Sequence, residues 1–230
     1  MVWQNKVYCF DLENDIDTVY TDFLSVGGRE SGMNRVGKLF LISGPSGVGK
    51  TVLLNYLISR LGSKYNLHRV ITYTTKAPRA GEVAGQDYHY LSSEEFQAKL
   101  GKNFFLEYSL AYDNYYGSPR SILSELNLGK SFLLVVDQVG AYSIQQSYAQ
   151  AVLIWVLPPS LVELRDRLQK RRTESPHQVE RRLSIAAAEI EVEAVNKRFD
   201  YHVINGDLKA TQATLEQIIS HEMDVEVGNC

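Results

Sequence analysis

Gly44-Pro-Ser-Gly-Val-Gly-Lys-Thr51 is the stretch that decides the fold, reading G-x-x-x-x-G-K-T. Leu39-Phe-Leu-Ile-Ser43 before it is a short apolar run of buried-strand character. After it, Leu53, Leu54, Leu57 and Leu61 fall on one face of a helix that Gly62 is placed to end. Strand, glycine loop and helix are the context in which these residue types make a phosphate site. Gly44, Gly47 and Gly49 let backbone N–H groups turn inward around phosphate oxygens, with Pro45, Ser46 and Val48 completing the loop. The helix N-terminus adds partial positive charge, Lys50 adds a full one, and the Thr51 hydroxyl is a ligand for Mg²⁺. A structural turn opening a helix would need neither the lysine nor the hydroxyl at those spacings.

The rest of the composition sets limits around this loop. A chain of 230 residues that is 44 % hydrophobic can bury a sizeable core. A net charge of −3 disfavours general nucleic-acid binding, so any basic patch is local. Cys9 and Cys230 lie near opposite ends and suggest neither a disulfide framework nor a metal site, which fits a reducing compartment. No run approaches the roughly 18 apolar residues of a membrane helix, and the N-terminus has no basic segment followed by an apolar one. The expectation is a cytoplasmic protein without a membrane partner. Residues 1–32 stand apart, with six acidic residues against Lys6 and Arg29 and no sustained period. Gly27-Gly28 and Ser31-Gly32 have linker character, so the expected division is an extension of unassigned role over 1–32 and one domain over 33–230, beginning at Met33.

Beyond the first helix, Val70-Ile-Thr-Tyr-Thr-Thr75 predicts a strand that runs into a loop from Lys76 to Tyr88, broken by Pro78, Gly81 and Gly85. That loop offers donors for an anionic group, or equally a solvated turn. Ser92 and Glu95 form a capping box for a short helix. Phe104-Phe-Leu-Glu-Tyr108 sets Glu107 in an aromatic run, either facing solvent on an edge strand or buried as a recognition group. Ser131-Phe-Leu-Leu-Val-Val136 predicts a central parallel strand with Asp137 at its carboxyl end, where ligands bind in open α/β sheets. Ala151-Val-Leu-Ile-Trp-Val-Leu157 is another buried strand, and helices follow from Ser160 and from Ser175-Pro176. Between Glu163 and Arg182, seven basic residues face four acidic ones. Such a run is usually a solvated helix face. Opposite a phosphate loop, two antiparallel helices carrying guanidinium groups also make a lid. Tyr201-His-Val-Ile-Asn205 closes the sheet, and Asp207 caps a last helix.

The ordered set GPSGVGKT, then T-T-K-x-P-R-x-G-E-x-x-G-x-D-Y, F-L-E-Y and N-Y-Y-G-S, resembles the guanylate kinases over roughly residues 36–220. The resemblance implies a three-layer α/β fold with a P-loop NTPase-type parallel sheet, a small acceptor-nucleotide-binding region at about 70–130 and a helical lid at about 160–185. It implies transfer of the γ-phosphoryl of ATP to GMP or dGMP with Mg²⁺. Positioning and electrostatic stabilisation carry most of such catalysis, so no covalent intermediate is needed. Carried over by residue, Thr72, Arg79, Tyr88 and Tyr116 hold the acceptor phosphate, while Glu107, Ser118 and Asp137 read guanine. Arg167, Arg171 and Arg182 match the lid arginines, whereas Arg165, Arg172 and Arg181 keep the solvated reading. Asn205 is implied near the adenine of ATP, although Asn205-Gly206-Asp207 is a turn signal in any context.

Two positions depart from the family pattern. Lys76 stands where a phosphate-binding arginine is usual, and Val135 where a further carboxylate commonly precedes Asp137. The alternative from another class is an interaction module that has kept the fold and lost catalysis. Lys50, Thr51 and three lid arginines argue against it, because a peptide-binding module has no use for that set.

Overall fold

A computed structural model describes residues 6–7, 36–111, 113–170 and 175–225. The proposed linker, Met33, Cys9, Cys230, Arg171 and Arg172 lie outside the described residues. The chain runs β1 (Lys6–Val7), β2 (Leu39–Ser43), α1 (Lys50–Tyr65), β3 (Leu67–Arg69), β4 (Thr72–Thr74), β5 (Tyr88–Tyr90), α2 (Ser93–Gly101), β6 (Phe105–Ala111) and β7 (Asn114–Pro119). It continues through α3 (Ile122–Asn127), β8 (Ser131–Val135), α4 (Gln138–Ser147), β9 (Val152–Leu157), α5 (Leu161–Lys170), α6 (Pro176–Asn196), β10 (Tyr201–Ile204) and α7 (Leu208–Asp224). No described helix is long and apolar enough to cross a membrane.

Six strands form one parallel sheet in the order β1-β10-β9-β2-β8-β3. Successive side chains of a strand point to opposite faces, so the uniformly apolar β2 must be covered on both. Phe40 and Ile42 pack with Leu53 and Leu57 of α1 and Leu215 and Ile219 of α7. Leu39 and Leu41 pack on the other side with Ile122, Leu126, Ala141 and Ile144 from α3 and α4. The expected three layers follow from that alternation. Lys6 and Val7 pair with Tyr201 and His202, making β1 the edge strand.

Two local expectations change. The first helix does not stop at Gly62 but continues to Tyr65. It ends at Asn66, which takes a left-handed conformation (φ 50°) and donates its N–H to the Gly62 carbonyl, a cap that asparagine tolerates. The strand expected over 70–75 is divided between two sheets. β3 starts earlier and pairs with β8, Val70 N–H still donates to Leu133 O at 3.1 Å, and β4 then enters a separate sheet of order β5-β4-β7-β6. A β-branched run favours extended backbone and does not select the partner strand. This second sheet has its own aromatic packing, with Phe96 of α2 stacked on Phe105 at 4.5 Å and on Tyr115 at 5.2 Å.

Helices α5 and α6 carry a third apolar cluster of Leu164, Leu168, Val179, Leu183 and Ala186. The helix expected from Ser175-Pro176 opens with a capping box of Ser175 and Gln178, and α6 runs on to Asn196. Near its end Glu193, only 1 % exposed, accepts from Tyr142 Oη at 2.6 Å and from Phe199 N–H at 3.1 Å, and meets His202 Nε2 at 2.9 Å. Burial alone would raise this carboxyl, but the bonds from His202, Tyr142 and Phe199 outweigh it and hold it below the usual range. Breaking such a buried network by removing one partner costs about 3 kcal/mol or more. Glu193→Ala should therefore lower the melting temperature by roughly 6–12 °C, at about 2–4 °C per kcal/mol for a domain of this size, as read by calorimetry at pH 7.

Candidate active site

The glycine loop is shaped by close approach. Gly44 has φ 142°, and a Cβ there would come 2.1 Å from Val156 O. Gly49 has φ 104° and precedes α1, whose first turn carries neither a side-chain cap nor an acidic residue. The orphan N–H groups at that helix start face the loop with their positive end unopposed. Lys50 Nζ donates to the carbonyls of Gly44 and, at 3.0 Å, of Pro45. Asn205, buried at the end of β10, donates Nδ2 to Val48 O at 2.7 Å. Its side chain braces the loop from below, which is where the structure places this residue.

The lid reaches the same assembly. Arg167 Nη2 donates to Asn205 O at 2.7 Å, and Arg182 Nη1 to Ser46 Oγ at 3.1 Å. A Cβ on Gly47 would meet Leu168 Cδ2 at 2.7 Å, so the apolar cluster of the lid rests on the loop. Arg165 pairs with Glu180 on the surface, and Arg181 lies 3.7 Å from Asp113. These exposed pairs match the solvated role expected for both residues.

On the second sheet, Glu107 is buried, at 5 % exposure, rather than facing solvent. Ser118 Oγ donates to its Oε1 at 2.6 Å, while Oε2 has no hydrogen-bond partner among the described residues. Burial pushes the carboxyl up to about 7; the Ser118 bond opposes this and Asp137 adds to it. Asp137 caps α4 by accepting from Gly140 N–H at 2.7 Å. A Cβ on Gly140 would stand 2.9 Å from Glu107 Oε2 and 3.2 Å from Asp137 Oδ1. Glu107, Ser118 and Asp137, which the family resemblance groups, thus lie close together, with Glu107 Oε2 an unfilled acceptor among the described residues.

The loop between β4 and β5 is organised by Glu82, which the sequence reading did not single out. Its carboxylate accepts from Lys76 Nζ at 2.6 and 2.7 Å, from Arg79 N–H at 2.8 Å and from Tyr90 Oη at 2.8 Å. Burial opposes ionisation here, and those bonds outweigh it to hold the carboxyl below its ordinary range. Lys76 is thereby drawn onto Glu82, 4.7 Å over the Tyr88 ring. Tyr88 and Tyr116 lie 6.2 Å apart, both with phenol pKa values raised by burial, and Arg79 is exposed beside them. Arg69 is the other residue missed: it donates to Asn55 Oδ1 at 3.2 Å and to Asp87 O at 3.1 Å, tying α1 to the β4–β5 loop. A cleft lined by Thr51, Arg69, Thr72, Asp87, Tyr88 and Val135 joins the glycine loop to the second sheet. The start of α1 therefore borders the same cleft as Thr72, Asp87 and Tyr88.

Residues 36–222 match the family model described as guanylate kinase. The chain belongs to the guanylate kinase family. It is 42 % identical to the guanylate kinase of Protochlamydia amoebophila, over 83 % of this chain and 94 % of that protein. It is 41 % identical to the guanylate kinase of Caulobacter vibrioides, over 81 % of this chain and 85 % of that protein. The crystal structure of guanylate kinase from Anaplasma phagocytophilum superposes with a TM-score of 0.66 at 30 % identity, covering 84 % of this chain and 89 % of that one. The mixed α/β architecture with its parallel central sheet is thus that of the guanylate kinases.

Glu107 gives a test of this site without substrate. Its folded pKa lies above its unfolded value, so its favourable contribution is full below the unfolded pKa and is lost as pH rises through about 7. Above that pH the buried charge costs on the order of 3 kcal/mol. Glu107→Gln keeps an acceptor for Ser118 and removes the charge. The variant should melt several degrees higher than the unaltered chain at pH 8, and the difference should close below pH 5. Paired thermal melts at the two pH values check this.

Proposed function

We propose that the chain transfers the γ-phosphoryl group of ATP to GMP, giving ADP and GDP, and that dGMP is accepted in the same way. The observation that carries the reading is the buried Glu107 Oε2, without a hydrogen-bond partner among the described residues, beside Ser118 and Asp137 on the second sheet, which the cleft lined by Thr51, Thr72 and Tyr88 joins to the glycine loop. Guanine offers N1–H and a 2-amino group as adjacent donors, which a carboxylate accepts together. Adenine offers neither at those positions. A site whose buried polar groups are satisfied by one base and left unpaired by another discriminates strongly.

The acceptor phosphate is held by Thr72, Arg79, Tyr88 and Tyr116. Lys76 acts through Glu82, fixing the loop that presents Arg79. The phosphates of ATP lie along the N–H groups of residues 44–51 at the start of α1, and Lys50 leaves its two carbonyls to meet them. Asn205 supports this loop through Val48. A phosphate oxygen of GMP attacks the γ-phosphorus while the bond to the β–γ bridging oxygen breaks, so the electron pair leaves with ADP. Arg167, Arg171 and Arg182 from the lid stabilise the charge spread over the moving group.

Mg²⁺ fits this donor set. No group of three His, Cys, Asp or Glu side chains among the described residues could hold a metal alone. Magnesium keeps most of its water and binds through one or two protein oxygens together with nucleotide phosphates, and Thr51 supplies such an oxygen in the cleft. Bound there with ATP, the ion supplies neutralisation of phosphate charge. No observation favours the non-catalytic interaction module.

The reading is tested by following ADP release against GMP, dGMP, AMP, CMP, UMP and a no-acceptor control. GMP and dGMP should stand far above the others, and a folded chain with no signal above control would sink the proposal. Lys50→Ala should leave the melting temperature near that of the unaltered chain and lower kcat by at least about a hundredfold. Lys76→Ala and Glu82→Gln should raise the GMP KM by similar factors, about tenfold, with the ATP KM unmoved, because each removes one half of the same charged pair. A larger effect of Lys76→Ala would place the ammonium on the phosphate itself.

A further inference from the structure

Glu189, on α6, has no part in the scheme above. Its Oε2 is buried and has no hydrogen-bond partner among the described residues. Native proteins rarely leave a buried carboxylate oxygen so, and each case calls for a reason. The backbone around it is fixed: Gln138 Nε2, from the first residue of α4, donates to Glu189 O at 3.2 Å. Residues 182, 186, 189 and 193 share one face of α6 by helical spacing. Along that face Arg182 touches Ser46 of the glycine loop, Ala186 lies in the lid core, and Glu193 is locked to α4 and β10. Glu189 is therefore carried by the same rigid element that brings an arginine to the loop.

The charged groups acting on it from neighbouring elements are Lys50 of α1 and Asp137 at the start of α4. Burial pushes the Glu189 carboxyl up to about 7, with Lys50 drawing it down and Asp137 pushing it further up. Asp137 already accepts from Gly140 N–H. Val135, the side chain of β8 that lines the cleft with Thr51, carries no charge. Lys50 rests on the carbonyls of Gly44 and Pro45, at the loop where incoming phosphates must sit.

We propose that Glu189 is a positioning residue for phosphoryl transfer: when phosphates draw Lys50 off the Gly44 and Pro45 carbonyls, the Glu189 carboxylate accepts one of its three N–H bonds. The other two then point at the transferring group. In this way the lid helix fixes the loop lysine, and a carboxylate reaches the site from α6 where β8 offers only Val135. The inference rests on the phosphotransferase reading.

The test compares the unaltered chain with Glu189→Gln, Glu189→Asp and the pair Lys50→Ala with Glu189→Gln. Glu189→Gln should lower kcat at least about tenfold with both KM values within about threefold, the pattern of an interaction made in the transition state. Glu189→Asp should recover part of the loss. In the Lys50→Ala background, Glu189→Gln should add less than about twofold, because its partner is gone. At pH 8 the glutamine variant should melt no lower than the unaltered chain, since it removes a buried charge. Unchanged kcat in Glu189→Gln overturns the proposal. So does a rise in the GMP KM alone, a fully multiplicative loss in the Lys50→Ala background, or a kcat loss accompanied by a lower melting temperature. Failure of the unaltered chain to release ADP with any nucleotide would strike the phosphotransferase reading instead.

Discussion

One buried side-chain amide holds the donor half of the site together. Asn205 Nδ2 donates to Val48 O, inside the glycine loop, and the backbone carbonyl of the same residue accepts from Arg167 of the lid. A Cβ on Gly49 would come within 2.8 Å of that amide nitrogen, so the loop fits over Asn205 only because position 49 is glycine. The loop cannot find this support within itself. Its N–H groups must stay available for phosphate, and it has no regular ladder of its own, so a rigid neighbour has to fix its carbonyls. The last strand of the sheet supplies that neighbour.

The two halves of the site manage charge in opposite ways. Around the β4–β5 loop, Glu82 is fully used by Lys76, Arg79 N–H and Tyr90, and its charge is stabilised in the free protein. That network holds a conformation. At Glu107 and Glu189 the reverse holds, since each has a buried oxygen with no hydrogen-bond partner among the described residues and a carboxyl raised to about 7. Free energy stored in an unsatisfied carboxylate is returned when a donor arrives, so such groups suit binding and reaction steps better than folding. The fold bears this cost because the central sheet is covered on both faces by large apolar clusters.

The lid joins these halves. Its small core rests on Gly47, Arg182 reaches Ser46, and the positive charge of Arg182 also acts on Tyr116 across the cleft. An arginine that acts on the donor loop and on the acceptor side together can help draw two anionic nucleotides to one another. Arg69 ties the same two sides from beneath, through Asn55 and Asp87. The gap between loop and pocket is thus bounded by guanidinium groups from α6 and from β3.

By itself the sequence determined what depends on near neighbours along the chain. Legible there were the glycine loop between strand and helix, the capping box at Ser92, the helix start at Ser175, the cap at Asp207, and the apolar strands that had to lie inside a parallel sheet. It also brought Glu107, Ser118 and Asp137 forward as one group, through the order of family motifs. It left open whether Glu107 was buried, and burial was decided by β7 and α4 packing against it. Likewise tertiary contacts alone carried the chain from one sheet to another after Val70, drew Lys76 onto Glu82, set Asn205 under Val48 and buried a carboxylate oxygen of Glu189. Propensity and periodicity report the preferences of a segment, whereas a side chain's partner, its burial and hence its charge state are set by groups that only the folded chain places opposite it.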